Sequence, residues 1–82
     1  MASRRRSWVL CVQNAGYEAS LERRKLYESI PDADAESHGQ LRVIDESGDD
    51  YLFPARYFAM VELPAAVRRA VAASNHAAAA AE

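Results

Sequence analysis

The chain has 82 residues and a mass of 9.1 kDa, enough for one small domain with a single core. Half of it is hydrophobic, but 17 of those residues are alanine, so 24 larger apolar side chains must build the fold. The net charge of −2 is spread as +3 over residues 1–30, −6 over 31–63 and +1 over 64–82, and this acidic middle argues against a dedicated nucleic-acid binder.

Residues 1–7, carrying Arg4, Arg5 and Arg6, read as a flexible basic N-terminus. Trp8-Val9-Leu10-Cys11-Val12 is a continuous apolar run with β-branched and aromatic members, which predicts a central strand buried on both faces. Gly16 lets the chain turn after it. Residues 17–24 mix charges around Leu21 without a clean period and read as a long irregular hairpin connection. A helical turn that brings Leu21, Lys25 and Leu26 together is the other reading of this stretch. Residues 25–30 form the second predicted strand, closed by Pro31, which cannot continue a ladder inside a sheet.

Asp32 to Glu36 reads as the start of one short helical turn, because acidic residues suit a helix N-terminus, and Gly39 is placed to end it. The third strand is predicted at 41–45 and the fourth at 51–53, with Glu46-Ser47-Gly48-Asp49 as the tight turn between them. Pro54-Ala55-Arg56-Tyr57 predicts a single 3₁₀ turn. A fifth strand follows at 58–62. Pro64 opens a helix over 64–73, whose stripe of Leu63, Val67, Ala70 and Val71 is expected to dock on the strands. Residues 74–82, mostly alanine, read as a frayed helix or a disordered tail.

Five short strands over residues 8–63, one long connection, one acidic loop, one tight hairpin and one 3₁₀ turn predict a mainly all-β fold. The expected architecture is a small five-stranded SH3-like barrel with a C-terminal α-helix. The stretch Tyr51-Leu52-Phe53-Pro54-Ala55-Arg56-Tyr57-Phe58 resembles the SH3 signature, in which a proline and a tyrosine three residues later flank the 3₁₀ turn. Three further stretches are Gly16-Tyr17-Glu18-Ala19-Ser20-Leu21-Glu22, then Lys25-Leu26-Tyr27, then Arg42-Val43-Ile44-Asp45-Glu46-Ser47-Gly48-Asp49-Asp50-Tyr51. Together they resemble a family of small, stand-alone bacterial SH3-like proteins, a resemblance that brings no activity with it. Ser29 departs from the pattern, standing where similar proteins carry an aliphatic residue.

Catalytic and metal chemistry find little support. A nucleophile needs a positioned base, and Cys11 lies mid-way in the most apolar run while His38 and His76 fall in a loop and the tail. Cys11 is therefore expected to be a small core residue with a raised thiol pKa, no catalytic residue is assigned, and no enzyme is expected. A single cysteine excludes an internal disulfide, and with two histidines it cannot make a structural zinc site. Asp45, Glu46, Asp49 and Asp50 lack the spacing of a calcium loop, and three glycines leave no phosphate loop, so neither metal nor cofactor is predicted. No apolar run approaches the roughly 20 residues of a membrane span, and the run at 8–12 is too short for a secretory leader. A cytoplasmic location without membrane contact is expected.

The aromatics remain. Trp8, Tyr17, Tyr27, Tyr51, Phe53, Tyr57 and Phe58 either complete the core and its rim or leave some rings at the surface. The SH3 resemblance implies that Pro54 and Tyr57 line a groove for polyproline helices, with Tyr17 contributed by the long connection. Ile44 and Asp45 stand near where that groove's tryptophan belongs, and Trp8 lies on the first strand instead. The expected function is a protein-interaction adaptor or regulator. It would contact its partner through Tyr17, Tyr51, Pro54 and Tyr57, with Asp49 and Asp50 at the rim. The alternative is a nucleic-acid- or ribosome-associated factor that sets Arg4, Arg5 and Arg6 against phosphate.

Overall fold

The computed structural model describes residues 6–80, with side chains as far as Ser74. Its strands are β1 (Ser7–Cys11), β2 (Leu26–Ile30), β3 (Gln40–Ile44), β4 (Asp50–Pro54) and β5 (Phe58–Val61). A short helix α1 (Ala33–Ser37) joins β2 to β3, a 3₁₀ turn (Ala55–Tyr57) joins β4 to β5, and α2 (Ala65–Ala80) follows. All pairs are antiparallel and the sheet order is β4-β3-β2-β1-β5. The fold is therefore mainly a five-stranded antiparallel sheet with a C-terminal helix.

β4 and β5 remain the two edges and do not pair, so the sheet is not closed into the barrel that the element order predicts. It cannot be flat either. Four strand spacings would set β4 and β5 about 19 Å apart, whereas three 3₁₀ residues rise only about 6 Å. The sheet must curl until its edges approach at the 3₁₀ turn. The concave side holds the core: Val9 and Cys11 of β1, Tyr27, Val43, Phe53, Tyr57 and Phe58, with Leu21 entering from the connection. Strand alternation sends Trp8 to the opposite face, where it is also buried. Interior β1 thus buries side chains on both faces, as its unbroken apolar run predicts.

Local chemistry sets the remaining boundaries. β1 ends at Cys11, one residue early, because the Val12 N–H donates to the Tyr57 carbonyl at 2.8 Å and Val12 itself turns out to solvent. β3 ends at Ile44, because Asp45 folds back and its Oδ1 accepts from the Ser47 N–H at 2.9 Å. The Asp32 carboxylate caps α1 by accepting from the Ala35 N–H at 3.0 Å, and Gly39 (φ +75°) ends that helix as expected. Ser29 is buried, paired with Ser7 on one side and Val43 on the other.

α2 differs most from expectation. It continues to Ala80, which bears out the helical one of the two readings of the alanine-rich stretch as far as that residue, since alanine is the best helix former and no glycine or proline interrupts it. Its inward side differs. Val71 and Leu63 are half-buried as expected, but Val67 and Ala70 are exposed, and Arg68 and Ala72 turn inward beside Trp8. Among the described residues no helix is long and apolar enough to cross a membrane.

Arg24 is the one non-glycine residue described with a positive φ, +69°. It is held there because its N–H donates to the Cys11 carbonyl at 2.7 Å while the Cys11 N–H donates to the Lys25 carbonyl at 2.9 Å. Its side chain is exposed. Arg24→Gly should therefore raise stability by about 0.5–1 kcal/mol, relief of left-handed strain outweighing the added freedom of the unfolded chain. Denaturant unfolding measures it, and a loss of stability would mean that the arginine side chain contributes more than its backbone costs.

Candidate functional site

The connection between β1 and β2 is irregular but closely tied. Gly16, at φ +85°, opens a turn in which the Tyr17 N–H donates to the Asn14 carbonyl at 2.8 Å. The Leu21 N–H then donates to the Tyr17 carbonyl at 2.8 Å, and Asn14 Nδ2 donates to the Leu21 carbonyl at 3.0 Å. One compact bend therefore drives Leu21, 1 % exposed, into the core and leaves Tyr17 above it. The Tyr17 ring meets Phe53 edge-on at 5.1 Å and Tyr57 at 6.0 Å, the geometry that aromatic quadrupoles favour.

The β3–β4 hairpin forms the facing wall. Gly48, at φ +88°, donates its N–H to the Asp45 carbonyl at 3.0 Å, and the Asp45 N–H donates to the Asp49 carbonyl at 3.0 Å. Tyr51 lies opposite Val43 on the concave face, beyond the end of the packed core. Between the two walls is an open cleft of about 400 Å³ lined by Tyr17, Ser20, Asp45, Ser47, Tyr51, Leu52 and Phe53.

A polar knot ties the walls together. The Tyr27 hydroxyl donates to the Glu46 carboxylate and accepts from the Glu22 N–H at 2.7 Å. Lys25 Nζ stands 2.7 Å from the same carboxylate, and the Glu46 N–H donates to the Ser20 carbonyl at 3.1 Å. Burial, reinforced by the bond to Glu46, pushes the Tyr27 phenol well above its usual pKa. Burial pushes the Glu46 carboxyl up as well, but the bonds from Lys25 and Tyr27 outweigh it and hold the carboxyl below its usual value.

The expected site residues are only partly brought together. Tyr17 (38 % exposed) and Tyr51 (53 %) share the cleft, whereas Tyr57 (8 %) is a core residue whose hydroxyl donates to the Ala15 carbonyl at 2.8 Å. Tyr57 is therefore not an exposed anchor; the 3₁₀ turn directs it inward to pin the connection. Pro54 is half-buried at the end of β4, opposite Gln40, and does not line the cleft. Asp50 is engaged by Arg42 at 3.0 Å, and Arg42 also donates to Asp32 at 2.8 Å. Asp49 is exposed at the hairpin tip. Arg6 lies 3.7 Å from Glu28, while Arg4 and Arg5 fall outside the described residues. Among the described residues no group of three or more His, Cys, Asp and Glu side chains is placed to hold a metal ion.

Sequence reasoning missed the roles of Asp45 and Glu46. Glu46 looks like an ordinary turn acid, and its partners Tyr27 and Lys25 lie some 20 residues away. Compared with protein-family models, curated proteins and solved structures, the chain matches none.

Tyr27→Phe deprives Glu46 of a donor and the Glu22 N–H of its acceptor, and should cost about 1–3 kcal/mol in denaturant unfolding. Because Glu46 has a lower pKa folded than unfolded, its contribution is full above the usual glutamate value of about 4.3 and is lost as the pH falls through the folded one. The unfolding free energy of Glu46→Gln should accordingly fall less steeply in acid than that of the unaltered protein. Parallel acid curves would show that the knot adds nothing to stability.

Cys11 is fully buried, its Sγ donates to the Gln13 carbonyl at 3.2 Å, and burial pushes the thiol pKa up. A thiol reagent should leave the native protein unlabelled and react fully once denaturant is added. Rapid native labelling would reveal an opening of β1 that reaches the core.

Proposed function

We propose that this protein is a non-enzymatic protein-interaction module of the SH3-like class, which binds an apolar segment of a partner protein in the cleft between Tyr17 and Tyr51. Five antiparallel strands in the order β4-β3-β2-β1-β5, curled by a three-residue 3₁₀ link, are consistent with an SH3-like barrel left open between its edges. The resemblance of residues 16–22, 25–27 and 42–51 to small bacterial SH3-like proteins points the same way. The observation that carries the functional reading is the pair of tyrosines. Tyr51 continues the concave face past the core with half its surface in water, and Tyr17 faces it across a floor of Phe53.

Tyrosine suits that position because its ring supplies contact area with little rotamer entropy, and its hydroxyl remains soluble when no partner is bound. The buried Tyr57 serves the fold, and the partner meets Tyr17 and Tyr51 above Phe53. Proteins captured from the native host would be identified by mass spectrometry, and binding of each purified candidate then measured. Tyr51→Ala should weaken binding by about 2 kcal/mol, some 30-fold, with no change in melting temperature. Unchanged affinity in Tyr51→Ala would remove the cleft from the interface. Salt-sensitive binding of an oligonucleotide that depends on Arg4, Arg5 and Arg6 would support the nucleic-acid reading instead.

A further inference from the structure

Trp8 is buried, yet it lies outside the core cluster. On the convex face of β1 it has Glu28 and Val61 as cross-strand neighbours. Two open depressions of about 360 Å³ each flank it, one toward Val61 and Leu63 and one toward Ala65 and Ala72 of α2; both are lined by Arg6, Trp8 and Arg68. Arg69 borders the second.

The guanidinium groups here are poorly matched. Arg68 Nε is shielded from solvent and has no hydrogen-bond partner. Among the described residues neither Arg68 nor Arg69 makes an ion pair, and Arg6 meets Glu28 only at 3.7 Å, longer than a charge-assisted hydrogen bond. A buried donor without an acceptor is costly and uncommon, and a guanidinium N–H most of all. Glu62 also borders the first depression without pairing to Arg68.

We infer that Arg68 and Arg6, which line the same two depressions beside Trp8, form a binding site for a phosphate monoester dianion. Guanidinium forks match the oxygens of phosphate, and a tetrahedral dianion can accept from donors on two sides at once. Trp8, Ala65 and Ala72 supply an apolar wall that strengthens the attraction. Glu28 and Glu62 at the margins disfavour an extended polyanion, which would have to run past them; a compact dianion meets mainly the arginines. The site lies on the opposite face of the sheet from the Tyr17–Tyr51 cleft and does not rest on its function.

Trp8 is the only tryptophan in the chain, so its fluorescence reports on this site alone. The full-length protein would be titrated at constant ionic strength with inorganic phosphate, O-phosphoserine, acetate and a short oligothymidylate. Phosphate and O-phosphoserine should change Trp8 emission saturably and raise the melting temperature in step. Acetate should bind at least about tenfold more weakly, and Arg68→Gln and Arg68→Lys should each weaken phosphate binding about tenfold or more. If Arg68→Gln fails to fold, Arg6→Gln, at an exposed position, provides the same comparison. No saturable change with phosphate, equal binding by Arg68→Lys, or tighter binding of acetate or oligothymidylate would each overturn the proposal.

Discussion

Three residues, Ala55–Tyr57, carry the chain from one edge of a five-stranded sheet to the other. No flat sheet can satisfy that link, and the curl it imposes decides what the remaining side chains can do. On the concave side Val9, Cys11 and Val43 reach zero exposure among the rings of Tyr27, Phe53, Tyr57 and Phe58. The link also closes onto its neighbour. The Val12 and Gln13 N–H groups both donate to the Tyr57 carbonyl, so the end of β1 is fastened to the turn that bends the sheet.

The sheet leaves β4 and β5 unpaired, and the long connection between β1 and β2 packs its Tyr17 ring against Phe53 of β4 and Tyr57 of the 3₁₀ turn. Residues 12–25 have no regular structure, so their backbone polar groups must find partners elsewhere. They find them in turns, in the Tyr27 hydroxyl, in the Glu46 amide and through the Tyr57 hydroxyl on Ala15. Leu21 adds the apolar contact that makes this connection part of the core. The connection stops short at the hairpin end, where Tyr17 is the last ring seated on Phe53 and Tyr51 stands beyond it. The cleft is thus the unfilled remainder of the curl. Its walls are tied together by the bonds of Tyr27 and Lys25 to Glu46.

Much of this order was legible along the chain, because hairpin chemistry and proline placement are local. Ser47-Gly48-Asp49 announced its turn, Gly39 ended α1, and Pro54 introduced the 3₁₀ turn as expected. Closure was not legible, since whether β4 pairs with β5 depends on how far the whole sheet curls. Tyr57 was misplaced for a related reason. A tyrosine three residues after a proline suggests a surface groove by resemblance, and only the position of Ala15 determines that its hydroxyl is satisfied inside. The docking face of α2 was misread because hydropathy alone favours Val67, whereas the arginine stem of Arg68 can lie along Trp8 and keep part of its charge near water.

Segment charge misleads in the same way. The −6 of residues 31–63 suggests an acidic surface, but most of the acids near the cleft are already engaged. Asp32 and Asp50 hold Arg42, Asp45 holds the Ser47 turn, and Glu46 holds Lys25 and Tyr27. At the hairpin tip Asp49 has no cationic partner among the described residues. The acids serve mainly to fasten arginine, lysine and backbone N–H groups across the loops, where paired charges project little field beyond a Debye length. What the cleft offers a partner is therefore chiefly shape and apolar area: two half-wet rings and a floor of Phe53.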